Sequence, residues 1–405
     1  MRIRSVTIGT NVSYPLNGGG FRALGQFATR ARASFEDAGL ELQTVRLVTQ
    51  PFPEVLRDEG PDGAVPFARE LEGLCQAHDI DYCSIGTVVA TMPEADLAYV
   101  DIIPAVIRET EVAFASALVA APGSGINLAA IAGAAEAIAD IARTTPNGFG
   151  NLRFAVLANC EPGSPFFPAS FHRGPGPAFS VATEAADLVV DAFAGAATLG
   201  EAHENLRIAV EEATRAIESV CQKLESEFDF RFGGIDFSPA PYPEVARSIG
   251  HAIEKLGVDA FGANATLFAV AFIKRALREA EFPRCGFSGL LLPVLEDQTL
   301  AQRSAENLYT VDSLLLYSTV CGTGLDTVPL PGDVSVGELA AILLDVATLA
   351  LIADKPLTAR LMPIPGKRAG DMTDFDFEYF ANARVLSVRK HGAPRIFENN
   401  RFVRL

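Results

Sequence analysis

Cys321 stands in the run Ser318-Thr319-Val320-Cys321-Gly322-Thr323-Gly324-Leu325-Asp326, which continues to Pro329-Leu330-Pro331-Gly332-Asp333. Glycines let a backbone turn tightly and approach a ligand, so residues 321–332 offer a thiol on a glycine-rich loop. A nucleophilic Cys needs a cation or a helix N-terminus to stabilise its thiolate. Without one, Cys321 is a small buried residue beside an ordinary turn. Arg360 lies in Thr358-Ala359-Arg360-Leu361-Met362-Pro363-Ile364-Pro365-Gly366-Lys367, an apolar strand that runs into a Pro-Gly turn. A buried Arg requires a partner. Together Arg360 and Lys367 could clamp a carboxylate or phosphate, one as a planar fork and the other as a point charge. The competing reading is a surface ion pair for one and a solvated loop charge for the other.

Two further runs place acids at strand ends: Ile235-Asp236-Phe237-Ser238, and Glu296-Asp297 after the apolar residues 290–295. Carboxylates at the carboxyl ends of strands are where α/β folds put acid–base groups and metal ligands. Asp297 is the expected N-cap of the helix that follows. The segment Asn159-Cys160-Glu161-Pro162-Gly163-Ser164-Pro165-Phe166-Phe167-Pro168, with His172 beyond it, follows a strand and has the composition of an ordered aromatic loop. His172 can bind substrate there, although a lone His is more often structural. Gly18-Gly19-Gly20 before a helix could receive an anion, a weak signal by itself. The chain has no GxSxG, Walker A, HExxH or strand-to-helix GxGxxG pattern. Divalent-metal chemistry through Asp236, Glu296, Asp297 or Asp333 is a further alternative, since hard cations favour oxygen ligands. No ligand spacing supports it, so neither metal nor cofactor is expected.

These residues sit on alternating strand-like and helical runs. Strands are expected at 3–9, 42–48, 82–90, 112–119, 154–158, 234–238, 286–294 and 358–364, separated by helices such as 127–143, 204–228, 265–280, 298–308 and 336–353. Short apolar strands between helices argue for α/β architecture with mostly parallel strands. No linker divides residues 1–388, which read as one large domain, and the basic, aperiodic residues 389–405 read as a docked arm or an oligomer contact. Lys and Arg total 33 against 50 Asp and Glu, a net charge of −17, which repels nucleic acid and anionic membrane surfaces. The six Cys show no CxxC spacing, as expected of reduced thiols in a cytoplasmic protein. The apolar stretch 336–353 is interrupted by Glu338 and Asp345 and falls short of a membrane span.

The blocks at Asn159-Cys160, 164–168 with His172, 235–238, Gly262 with Asn264-Ala265-Thr266, 287–289, 293–297, 321–326, 331–333 and 360–367 occur in order over nearly the whole chain. On them the chain resembles the uncharacterised prokaryotic family known as domain of unknown function 711. The resemblance implies a large α/β barrel of about ten strands, two parallel five-stranded halves surrounded by helices. That barrel is similar to the one in glycyl radical enzymes such as pyruvate formate-lyase. Radical chemistry there needs a glycine in a C-terminal loop. Here Arg384-Val385-Leu386-Ser387 carries Ser, and the only later glycine is Gly392, so radical catalysis is not expected.

The expected function is a non-radical lyase or hydrolase acting inside the barrel on a small carboxylate- or phosphate-bearing metabolite. Arg360 and Lys367 would hold the anion, with Asp236 or Glu296 as general acid or base. Cys321 would be nucleophile or pocket wall, and Asn264, Thr266 and His172 would supply polar contacts. The alternative is a non-catalytic ligand-binding or regulatory protein, since similar proteins are encoded beside a small amino-acid-binding regulatory-domain protein, which would be its partner. A homo-oligomer, a dimer first, is expected on general grounds.

Overall fold

In the computed structural model, which describes every residue except Asn399, the first strand already separates two chemistries. On β1 (Arg2–Thr10) Ile3, Val6 and Ile8 are buried in the main hydrophobic core, while Arg4, Thr7 and Gly9 face the other side. The remaining strands are β2 (Leu42–Thr49), β3 (Tyr82–Val89), β4 (Ala113–Ala121), β5 (Gly125–Asn127) and β6 (Phe154–Ala158). They continue with β7 (Ala178–Glu184), β8 (Arg231–Asp236), β9 (Gly324–Pro331), β10 (Leu357–Ile364) and the short β11 (Phe402–Val403).

All belong to one sheet whose main path runs β8-β7-β1-β2-β3-β4-β6-β10-β9. β1, β2, β3, β4 and β6 are mutually parallel, as are β7 with β8 and β9 with β10. The two groups meet through antiparallel pairs, β1 with β7 and β6 with β10. At the two ends of the path lies the same segment, residues 283–294: Ile235 of β8 bridges to Arg284, and Asp326 of β9 bridges to Pro293, both in parallel sense.

The large core lies between the sheet and its helices and extends from Ile3 to Leu386. Phe21, Leu24, Phe27, Ala31 and Phe35 of the helix Gly18–Asp37, spaced three and four residues apart, are buried in it, whereas Ala38, next in the same spacing, caps the helix and is exposed. The opposite face of the sheet carries two small clusters. One joins Leu118, Ala155, Leu157, Cys160, Ala169 and Phe287; the other joins Val48, Phe114 and Phe167. Both receive residues from the loop after β6, so β4 and β6 are buried on both faces, which accounts for their continuous apolar runs.

Three expectations need correction. Residues 286–294 form no regular strand and hold their place by isolated bridges and side-chain hydrogen bonds instead. Residues 321–332 are not a loop: most of them form β9, fully buried despite Pro329 and Pro331. β7 has no counterpart among the expected strands.

Gly324 shows why glycine recurs in β9. Its φ is +101°, and a Cβ there would lie 2.2 Å from the carbonyl oxygen of Thr358 on β10. Gly324→Ala is therefore expected to cost at least about 2 kcal/mol, strain plus a lost close approach, read by chemical denaturation. Unchanged stability would refute this register. At the C-terminus β11 pairs antiparallel with β5, Phe402 opposite Asn127 and Val403 opposite Ile126. No helix among the described residues is long and apolar enough to cross a membrane.

Candidate functional site

Because the two parallel groups run in opposite senses, the N-terminal ends of β1, β2, β3 and β4 lie beside the C-terminal ends of β8, β9 and β10. A cavity of about 110 Å³ opens there. Arg4, Arg46, Tyr82 and Phe114 come to it from the first group, and Asp236, Asp326 and Arg360 from the second. Glu296 follows the irregular segment, Phe166 and Phe167 hang from the loop after β6, and Phe377 and Tyr379 come from the C-terminal stretch. Mostly apolar walls with a few converging polar groups are typical of a small-molecule site.

The charges in this cavity are matched with one exception. Arg360, 5% exposed, donates from Nε to Asp326 Oδ1 at 2.7 Å, from Nη2 to Glu296 Oε1 at 2.9 Å and from Nη1 to the Leu152 carbonyl at 3.3 Å. Burial opposes its charge, but Asp326 and Glu296 outweigh burial and hold its pKa above the ordinary value. Arg4 bridges Glu296 at 2.8 Å and Glu184 at 3.1 Å. Glu184 also accepts from Gln43 at 2.6 Å and pairs with Arg247. Asp236 accepts from Ser238 Oγ at 2.6 Å and from the Phe287 and Ser288 amides at 2.9 Å each. Burial raises its pKa against those hydrogen bonds. Its role is to pin the irregular segment to the end of β8.

Arg46 is the exception. It is half-buried, and its side chain makes one hydrogen bond among the described residues, from Nε to Thr44 Oγ1 at 2.9 Å on its own strand. Among the described residues it pairs with no carboxylate. Its guanidinium sits 5.3 Å from the ring centre of Phe167 and 5.7 Å from that of Tyr82, cation–π contacts that stabilise it only in part. Burial first, then repulsion from Arg4, brings its pKa down to about 10, which leaves it cationic at neutral pH. Among the acids, Asp326 uses only Oδ1 for Arg360, and Oδ2 has no donor among the described residues. Burial pushes the Asp326 carboxyl up, with Arg360 opposing.

The structure thus brings Asp236, Glu296 and Arg360 to one cavity and leaves the other expected residues outside it. Lys367 pairs with Asp374 at 2.9 Å near the surface. Asn264 is exposed, and buried Thr266 accepts the Gly262 amide at 3.0 Å where a helix starts. Cys321 ends the helix Val311–Cys321 and is fully buried, its Sγ accepting the Thr323 amide at 3.4 Å. Lys274 packs over the adjacent Gly322. His172 lines a second cavity. Asp297 is the anticipated cap: its carboxylate takes the Thr299 and Leu300 amides at 2.9 and 3.0 Å and also Ser248 and the amides of Ile249 and Gly250. Asp333 is exposed, and no group of three or more His, Cys, Asp or Glu among the described residues is arranged to hold a metal. Sequence reasoning missed Arg4 and Arg46, although a lone Arg inside Val45-Arg46-Leu47-Val48 is the same signal that marked Arg360.

A family model described as "Uncharacterised ACR (DUF711)" matches residues 1–381. The chain belongs to the DUF711 family. Its relatives include UPF0210 proteins of Pyrobaculum arsenaticum, 32% identical with 91% of this chain and 85% of the relative covered, and of Pyrobaculum islandicum, 31% identical with 83% and 76% covered. A UPF0210 protein of Neisseria meningitidis serogroup C is 28% identical over 89% of this chain and 82% of its own. The DUF711 match spans every residue of the charged cavity.

Proposed function

We propose that this DUF711 protein is a lyase or hydrolase without radical chemistry, acting on a small metabolite that presents one carboxylate or phosphate on an apolar body. The observation that carries the reading is Arg46, the one cation of the cavity without a carboxylate among the described residues, set between Tyr82 and Phe167. A bound anion would restore the hydrogen bonds that its guanidinium lacks. The aromatic walls from Phe114, Phe166, Phe167, Phe377 and Tyr379 would cover the rest of the ligand.

Within that reading the proton-transfer group is Asp326, whose raised pKa and unoccupied Oδ2 suit a general acid or base. Glu296 and Asp236, the acids expected from sequence, spend their oxygens on protein donors and act as supports. Residues 283–294 would serve as the tenth stave, closing the sheet into a barrel around the cavity, as the family resemblance implies.

The test is a thermal-shift screen of the full chain against aromatic and aliphatic carboxylates and phosphate esters, with each hit then followed by mass spectrometry for turnover. A ligand at 100 times its dissociation constant adds about 2.7 kcal/mol, enough to resolve. An aromatic or branched anion that binds and is converted is the expected result. Binding without conversion favours the regulatory alternative, which the full engagement of Glu296 and Asp236 would then explain. No hit sinks the anion site.

A further inference from the structure

The loop after β6 divides the inner face of the sheet, and a second cavity of about 180 Å³ lies on the far side of Phe166 and Phe167. It is reached from the C-terminal ends of β1 and β2 and the N-terminal ends of β7 and β8, through Gly9, Val48, Ala178 and Arg231. Two of its lining side chains are buried with unpartnered polar atoms. His172 is 3% exposed, its imidazole close to the Gly174 and Gly176 backbone, and Nε2 makes no hydrogen bond of good geometry; Ser170 is fully buried and Oγ has none. Leaving one such atom unsatisfied costs about 1–3 kcal/mol. Both stand beside a cavity large enough for several waters.

The charge of the lining selects the occupant. Among the described residues no Asp or Glu lines this cavity, whereas Arg231 and Arg173 do. Arg173 is neutralised by Glu54, but Arg231, at the exposed start of β8, has no ion-pair partner among the described residues. Cys285, also in the lining, is held as a neutral thiol because burial pushes its pKa well up. His172 is likewise kept neutral, burial lowering its pKa, so it offers a hydrogen bond and adds no charge. Gly9 leaves the room the imidazole needs: a Cβ there would stand 2.6 Å from His172 Nδ1. One cation with a neutral imidazole and a hydroxyl makes a receptor for a small oxyanion with several oxygens to share.

We propose that this cavity is a second ligand site, distinct from the one around Arg46, and that it takes a phosphate group through Arg231, His172 Nε2 and Ser170 Oγ. The group is either free inorganic phosphate or the head of a small phosphate monoester, and the chemistry of recognition is the same. Arg231 supplies the charge at the mouth, and the two buried groups fix the oxygens inside.

Isothermal titration of the full chain with inorganic phosphate and, separately, with glycerol phosphate tests it. The parent chain is expected to bind at least one of them, the ester more tightly if an esterified ligand is the natural one. Arg231→Gln, which changes an exposed residue, should weaken binding about 10- to 150-fold, as expected for a lost charge-assisted hydrogen bond. His172→Asn should weaken it as well, while the binding component lost in Arg231→Gln should persist in Arg46→Gln, whose residue belongs to the other cavity. Absence of binding to both probes overturns the proposal, and so does binding that survives both Arg231→Gln and His172→Asn. Loss of all phosphate binding in Arg46→Gln would move the phosphate to the other cavity and overturns it equally.

Discussion

Arg46→Gln is expected to raise the dissociation constant of whatever anion fills the cavity between Tyr82 and Phe167 by at least about 30-fold, with little change in thermal stability. The size follows from what the ligand would lose. Truncating one partner of a buried, hydrogen-bonded charge pair costs about 2–5 kcal/mol, and 1.4 kcal/mol is a factor of ten. The small effect on stability follows from what Arg46 does without ligand. Among the described residues its side chain bonds only to Thr44 on the same strand and pairs with no carboxylate, and burial with the nearby Arg4 already works against its charge. Removing it relieves repulsion and gives up two cation–π contacts, to Tyr82 and Phe167, worth about 0.5–1 kcal/mol each. Titration calorimetry on the variant, beside a melting curve, reads both quantities. Unchanged affinity with unchanged stability would show that the ligand's charge is held elsewhere.

The same contrast explains which parts of the molecule were legible beforehand. Periodicity located most strands and helices because the elements are buried on predictable faces. The cap at Asp297 was legible for a local reason, since its partners Thr299 and Leu300 are two and three residues away. Arg360 stood out as a charge in an apolar strand, and Asp236 and Glu296 as acids at strand ends; all three reach the cavity. What could not be read was the sense of one half of the sheet against the other. That depends on the antiparallel pairing of β1 with β7, and β7 hides behind Gly174-Pro175-Gly176-Pro177. Without it nothing places the N-terminal ends of β1 and β2 near Arg360, so Arg4 and Arg46 had no reason to be chosen. β9 was obscured by its own glycines and prolines, which read as loop but here permit a close approach to Thr358. Lys367 and Cys321 attracted notice through the same local composition, yet one bonds to Asp374 and the other ends a helix.

Arg360→Ala, by contrast, is expected to destabilise the protein by about 3–5 kcal/mol, the usual cost of removing one partner from a buried ion pair. Arg360 stands between two buried acids. Its loss leaves Asp326 with no counter-charge in contact and Glu296 with Arg4 alone. At about 2.1 cal/mol/K of unfolding entropy per residue, a chain of 405 residues loses roughly 4–6 °C in Tm for that change. The loss has a pH signature. In the variant the Asp326 carboxyl, already raised by burial, rises further once Arg360 no longer opposes the shift. A carboxyl whose folded pKa lies above its unfolded value destabilises the fold while ionised and ceases to do so when protonated. The Tm gap between parent and variant should therefore be widest near pH 7 and narrow toward about pH 5. Melting curves across that range decide the point. A gap that is absent, or that widens in acid, would mean that Asp326 and Arg360 are not the buried pair described here. The prediction also governs how binding data are read. Lost affinity in Arg360→Ala would mix a collapsed support with a lost contact, whereas Arg46→Gln touches only the contact, so the ligand's anchor is decided at position 46 and the integrity of the cavity floor at position 360.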